Sequence, residues 1–156
     1  MNSQIITLKG DLVKYTGKDK YCFPFMRKMI DIKQKNGRNE LRIAKKIMNN
    51  PCNNVVNVLK VYEGKKPFID YQKVDSGLGF SSSPKKRREI LKKYKKEIKQ
   101  GLLNLNNMNI IYLDLKSDNT GYDHFTNQWR IFDFDASGIC SNDKLKWVLK
   151  PPDFAV

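Results

Sequence analysis

The sequence predicts an α+β domain built in two unequal halves, and three patterns predict it. Short β-prone runs crowd residues 1–75 around a single amphipathic helix. A Gly- and Ser-rich stretch from Asp75 to Ser83 follows as a hinge. A long helix, a loop and a strand then occupy 76–156, giving the order strands, helix, strands, hinge, helix, loop, strand. A length of 156 residues suits one domain with a real core, and 40% hydrophobic with 11% aromatic residues argues against disorder.

Gln4 to Leu8 and Leu12 to Tyr15 are β-prone runs around Lys9-Gly10-Asp11, a tight hairpin, and Thr16-Gly17-Lys18-Asp19 is a second turn. Lys20 to Ile30 alternates, with Tyr21, Phe23, Phe25 and Arg27 on one side, and Pro24 marks an edge. Asn39 to Asn49 carries Leu41, Ile43, Ala44, Ile47 and Met48 on one helical stripe, stopped by Asn49-Asn50-Pro51. Val55 to Tyr62 and Pro67 to Val74 read as strands on either side of Glu63-Gly64-Lys65-Lys66. Ser83-Pro84 is an N-cap followed by proline at the first helical position. The helix it opens runs to about Asn106, with Ile90, Leu91, Tyr94, Ile98, Leu102 and Leu105 at helical spacing and an outer face that is nearly all lysine. Ile110-Ile111-Tyr112 begins a buried segment, Asp118 to Asn127 is an irregular turn, and Gln128 to Phe134 alternates as a strand.

The formal net charge is +14, carried by 24 Lys and 6 Arg. Such a surplus suits contact with anions; it also follows from AT-rich codon usage, which favours Asn, Lys and Ile together. Cys22, Cys52 and Cys140 have neither disulfide nor zinc-site spacing, and His124 sits in a polar turn as a surface residue. No apolar run nears the length of a membrane span and no signal-peptide pattern follows Met1, so an intracellular protein with no membrane contact is expected.

The chemistry concentrates between Asp114 and Asp133. Asp114, Asn119 and Asp133 are oxygen-bearing side chains beside apolar runs, the donor set that a hard cation such as Mg²⁺ takes together with phosphate oxygens. Lys116 lies on the same side of an extended loop as Asp114 and can neutralise a phosphoryl group. An aspartate in that place can accept the proton of an attacking hydroxyl. Phosphoryl transfer needs little beyond such positioning and charge stabilisation.

Asp114-x-Lys116-x-x-Asn119 resembles the D-x-K-x-x-N catalytic loop of eukaryotic protein kinases, and Asp133-Phe134 resembles the start of their D-F-G motif. The segments KQGLLNLNNMNII, KSDNTGYD and RIFDF are similar to kinases of protists, algae and large DNA viruses. The resemblance implies a protein-kinase-like fold, a small β-rich N-lobe over a truncated helical C-lobe, in a single domain. It implies ATP and Mg²⁺ as cofactors, Asp114 as catalytic base, Lys116 as the γ-phosphate contact, and Asn119 and Asp133 as metal ligands. Asn39-Glu40-Leu41-Arg42-Ile43 resembles kinase helix C, which makes Glu40 its ion-pair glutamate; an acid favoured in any first helical turn is the other reading. Phe25 to Ile30 resembles V-A-I-K and offers Lys28 as the partner, with Lys20 or a plain surface lysine as alternatives. Phe68 to Ser76, with Tyr71 and Lys73, would form the adenine-side hinge.

Four departures shape the expected function. No G-x-G-x-x-G is present, and Gly10 alone stands where a phosphate-covering loop belongs. Tyr112-Leu113 replace His-Arg of H-R-D, which removes the usual arginine contact to a phosphorylated activation loop. Asp135 occupies the glycine position of D-F-G, where aspartate tolerates unusual φ better than most residues. Only 21 residues follow Asp135, too few for the peptide-docking segment of a kinase. The leading expectation is a minimal, viral-type Ser/Thr-kinase-like phosphotransferase acting on a protein substrate. The alternatives are a pseudokinase that regulates a partner kinase and a nucleic-acid-binding module using Lys85-Lys86-Arg87-Arg88, Lys92-Lys93 and Lys95-Lys96. That whole basic run reads first as a solvated helix face. A homodimer is expected where a shortened lobe leaves apolar surface uncovered.

Overall fold

The computed structural model describes residues 4–7, 13–16, 25–76, 83–141 and 144–146. The Lys9-Gly10-Asp11 and Gly17 to Asp19 turns, Lys20, Pro24 and most of the Gly- and Ser-rich hinge lie outside the described residues. Strands β1 (Gln4–Thr7) and β2 (Val13–Thr16) pair antiparallel, Gln4 opposite Thr16. Strand β3 (Phe25–Met29) leads to helix α1 (Lys35–Asn49), then β4 (Val58–Tyr62) and β5 (Phe68–Gln72). The last three strands form an antiparallel sheet ordered β3-β5-β4, with Met26 opposite Tyr71 and Lys28 opposite Ile69. Because β5 is central, both its edges are paired, and Ile69 to Gln72 are buried. Ile69 and Tyr71 join the main core, while buried Asp70 takes a bidentate contact from Arg27 at 2.8 and 3.0 Å.

Helix α1 buries Leu41, Ile43, Ala44 and Ile47 at three- and four-residue spacing, the stripe legible in the sequence. It starts at Lys35, four residues before the expected start at Asn39. Its first turn, Lys35 to Arg38, faces outward and is held by polar contacts: Arg38 N–H donates to Gln34 O at 3.2 Å and the Arg38 guanidinium to Ile32 O at 2.6 Å. Hydrophobic periodicity cannot register such a turn. The helix ends where the Asn50 N–H reaches the Ile47 and Lys46 carbonyls and the Asn50 amide adds a bond to Lys46 O at 3.0 Å.

The second half opens with a short strand β6 (Asp75–Ser76) and helix α2 (Pro84–Asn107). Strand β7 (Ile110–Ile111), a 3-10 turn (Ser117–Asn119), β8 (Thr120–Asp123), β9 (Gln128–Ile131), β10 (Gly138–Ser141) and β11 (Lys144–Lys146) follow. They make two three-stranded antiparallel sheets, β6-β8-β9 and β11-β10-β7. Two expectations are corrected here. Asp118 to Asn127 is a 3-10 turn and a strand before its tight bend, and the half after residue 76 is not mainly helical: among the described residues its one α-helix is α2. Strands of two to four residues are too short for alternation to stand out from loop.

The halves join along β9. Val56 N–H donates to Ile131 O at 2.9 Å and Ile131 N–H to Asn54 O at 3.0 Å, a parallel bridge across Val55 and Ile131. Asn54 has φ 63°, and its amide donates to Trp129 O at 2.9 Å. Helix α2 comes so close here that a Cβ on Gly101 would lie 2.4 Å from Asn54 O. Trp129 packs edge-on against Tyr94 of α2, ring centroids 5.1 Å apart. No helix among the described residues is long and apolar enough to cross a membrane.

Candidate functional site

The first half of the site hangs on β3 and α1. Lys28 projects from β3 toward α1, and its Nζ donates to Glu40 Oε1 at 2.7 Å. The same ammonium lies 3.8 Å from Asp133 Oδ1, so one cation links a residue of α1 to the segment after β9. Glu40 is 1% exposed and sits in the second turn of α1, where the helix-start preference for acids no longer acts. Its other oxygen, Oε2, accepts from the Tyr71 hydroxyl at 2.7 Å. Burial tends to discharge Lys28, but Glu40 and the carboxylates of Asp133 and Asp135 outweigh it and raise its pKa. Burial and Glu40 together push the Tyr71 hydroxyl well up, so it stays a donor.

The second half hangs on the loop after β7. Asp114 and Asn119 face each other across it: the Asn119 amide donates to Asp114 O at 2.8 Å and to Asp114 Oδ2 at 3.0 Å. Lys116 Nζ stands 3.8 Å from Asp114 Oδ2 and is the more exposed partner. The loop is fixed from below. Asn119 N–H donates to Lys116 O at 3.0 Å, Thr120 Oγ1 to Ser117 O at 2.8 Å, and Phe132 N–H to Asn119 O at 2.9 Å. That last bond ties the Asn119 backbone to the residue before Asp133. The Tyr112 hydroxyl also donates to Phe132 O, and burial followed by Asp133 and Asp114 pushes its pKa up.

Asp133 is the junction of the two halves. It has φ 67°, a left-handed conformation that a non-glycine residue adopts at a cost and that clusters at functional sites. Phe134, fully buried between Tyr71 and Tyr112 at 6.4 and 5.8 Å, anchors the backbone that carries it. Burial pushes the Asp133 carboxyl upward, Lys28 opposes that, and Asp135 adds to it. Its Oδ1 is buried with no hydrogen-bond donor. A buried carboxylate oxygen with no hydrogen bond, met only by the Lys28 ammonium at 3.8 Å, suits a cation completed by phosphate oxygens. Among the described residues no three His, Cys, Asp or Glu side chains converge, so any such ion would draw most of its shell from ligand and water.

A buried polar hub holds the β8–β9 hairpin that spaces Asn119 from Asp133. Asp123 accepts at Oδ2 from Arg130 Nε at 2.8 Å, Gln72 Nε2 at 2.8 Å and Thr126 Oγ1 at 2.6 Å, and at Oδ1 from Phe125 N–H at 2.9 Å. Arg130 donates onward to Val55 O at 2.7 Å. Burial would raise the Asp123 pKa, but bonds from Thr126, Arg130, Gln72 and the Phe125 amide more than offset it and bring it to about 2.

Six of the eight expected site residues, Lys28, Glu40, Asp114, Lys116, Asn119 and Asp133, therefore fall into two linked clusters. Tyr71 is a correction. Expected on the adenine-side hinge, it is 4% exposed in the central strand, its backbone flanked by Met26 and Val58, and it serves Glu40 through its hydroxyl. Lys73 is exposed just past β5 and joins neither cluster. The hydroxyls of Tyr71 and Tyr112 and the buried Asn39, whose amide donates to Ser137 O at 2.8 Å, have no signal in sequence spacing. His124 is exposed, as expected, and contacts Asp75. No family model matches the chain and no curated protein matches it, so the functional reading rests on this geometry.

Proposed function

We propose that this chain is a kinase-like phosphotransferase that uses Mg-ATP. The observation that carries the reading is the Lys28 ammonium held between Glu40 at 2.7 Å and Asp133 at 3.8 Å, with the Asp114–Asn119 pair tied to the same segment by the Phe132 N–H to Asn119 O bond. Residues 12 and 105 positions apart in the chain are brought to one cation, in the roles that the catalytic-loop resemblance implies. Metal-bound ATP would supply the transferable phosphoryl group and bring its own charge compensation.

The residues of the chain divide the remaining work. Lys28, fixed by Glu40, would neutralise the inner phosphates. Asp133 and Asn119 would hold the metal, the one through its orphaned oxygen and the other through its amide. Asp114 is oriented by the Asn119 amide and half exposed, so it can receive an acceptor hydroxyl and take its proton. Lys116 beside it would stabilise charge on the group in transfer. Preorganisation of this kind is the larger part of phosphoryl-transfer catalysis.

Turnover of ATP and autophosphorylation, measured on the wild type and on Asp114→Ala, test the reading. Asp114-dependent turnover is expected, with a loss of at least about a hundredfold in the variant, the usual worth of a positioned base. Equal background signals in both proteins would sink it. A second reading, a nucleotide-binding regulator without turnover, is favoured by the sequence itself, which has no G-x-G-x-x-G and carries Asp135 in the glycine position of D-F-G. Binding of Mg-ATP without Asp114-dependent turnover would select that reading.

A further inference from the structure

Helix α2 buries Ile98, Gly101 and Leu105, with Ile90, Tyr94 and Leu102 partly covered, and this accounts for one side only. Lys85, Arg88, Lys92, Lys95 and Lys99 follow one another at spacings of three and four, so they form a single stripe clear of the buried side. All five are exposed, and none has an ion-pair partner among the described residues. The stripe is about 21 Å long at the rise of an α-helix. Nothing in the proposed transfer site uses it.

A second feature adjoins it. Lys93 lies round the helix from the stripe and is joined to it through exposed Lys96, which stands three or four residues from Lys92, Lys93 and Lys99. Lys93 donates to Tyr122 Oη at 3.3 Å and to Asn127 O at 2.9 Å, which ties the tip of the β8–β9 hairpin to the helix. At that tip Phe125 is 75% exposed, well beyond the other exposed large apolar side chains. Its backbone is not loose, because its N–H is held by buried Asp123 at 2.9 Å. The Tyr122 ring behind it packs edge-on to Trp129 and His124 at 5.1 and 4.9 Å.

From the basic stripe and the adjoining ring we infer that α2 and the β8–β9 tip form a docking surface for single-stranded nucleic acid. The stripe tracks the phosphodiester backbone and Phe125 offers a face for a base to stack on. Unpaired cations in a row with a rigidly mounted exposed aromatic are the two components of sequence-tolerant single-strand binding. A duplex hides its base faces and leaves Phe125 without a role. An anionic membrane would attract the same charges, but a helix lying in a bilayer surface needs an apolar face free to insert, and that of α2 is spent on the core.

Fluorescence anisotropy of the full chain with labelled oligothymidylate, oligouridylate and a mixed-sequence duplex, over a range of salt, tests this surface. Single strands should bind more tightly than the duplex, with a log–log salt slope of about −3.5 for five phosphate contacts. Lys92→Gln/Lys95→Gln/Lys99→Gln should flatten the slope by about 2. Phe125→Ala should weaken single-strand binding by about tenfold, the scale of one stacked base, and leave duplex binding unchanged. Three results would overturn the proposal: no retention of oligonucleotides at low salt, single-strand binding indifferent to Phe125→Ala, or preference for phosphatidylserine vesicles over both nucleic acids. Asp114→Ala should bind as the wild type does, which separates this surface from the proposed transfer site.

Discussion

Glu40 divides its two carboxylate oxygens between a cation and a phenol, Lys28 at 2.7 Å and Tyr71 at 2.7 Å, with almost no access to water. The two partners do different things. Lys28 supplies the countercharge, and its removal as Lys28→Met strands a buried carboxylate at a cost of about 3 kcal/mol or more. Tyr71 supplies one neutral donor, so Tyr71→Phe should cost about 2 kcal/mol, the scale of a hydrogen bond to a charged group. Urea unfolding of the two variants checks this ranking, and a larger loss for Tyr71→Phe would contradict it. The proposed function adds a second contrast. Tyr71→Phe keeps the Lys28–Glu40 pair and should retain a thermal shift with Mg-ATP, whereas Lys28→Met should lose it because the phosphate contact is gone. The Glu40–Lys28 pair was within reach of sequence reading through the kinase resemblance, although the 12 residues between them are fewer than is usual there. Tyr71 was legible as a strand residue but not as a partner of Glu40, because what a side chain meets across a sheet depends on the neighbouring element.

At the scale of elements, the β8–β9 hairpin is held by charge and α2 by shape, and each makes its own prediction. Asp123 has a pKa brought down to about 2 by its donors, below the ordinary range near 4. A carboxyl whose folded pKa is depressed contributes stability that is fully present above its unfolded pKa and is lost as pH falls through the folded one. Stability should therefore drop by about 2 kcal/mol between roughly pH 4 and pH 2 on account of this residue alone. Asp123→Asn should show a smaller acid loss in that window while being less stable at neutral pH, where Arg130 would lack its anion; parallel acid curves for the two proteins would refute the assignment. Gly101 makes the other case. Alanine is the better helix former by about 1 kcal/mol, yet a methyl group 2.4 Å from Asn54 O must push α2 off the β9 joint. Gly101→Ala should be net destabilising by about 1 to 3 kcal/mol, the range of overpacked sites, and a stabilised variant would show that the contact yields freely. Helix α2 itself was readable to within a residue at each end, from its proline start and its apolar stripe. Of the hairpin, β9 was readable from the alternation that starts at Gln128, whereas β8 was not, because its four residues and the polar bend after it carry too few apolar positions to set a period.

At the scale of the whole molecule, what the sequence made legible is what depends on local pattern: two helices, the strands around α1, and a loop whose residue types carry chemistry. What it hid depends on contacts far apart in the chain, namely the small sheets of the second half, the Asn54–Ile131 joint and the hub around Asp123. Electrostatics follows the same division. The attractive pairs Lys28–Glu40 and Arg130–Asp123 are largely buried, with side chains 20%, 2%, 5% and 2% exposed in that order, so salt reaches them little. The net charge of +14 is spread over a lysine-rich exterior, and there like charges repel through water. Added salt thus weakens the repulsion and leaves the main attractions in place. Raising NaCl from low to physiological ionic strength should stabilise the fold by about 1 kcal/mol, a rise of about 3 °C in Tm for a chain of this size. KCl should act equally, because screening depends on ionic strength and not on the cation. Lys92→Gln/Lys95→Gln/Lys99→Gln lowers the surplus and should show a smaller rise. A Tm that falls with salt would mean that exposed ion pairs, such as Lys45–Glu63, outweigh the repulsion and that the surplus is already compensated in the folded state.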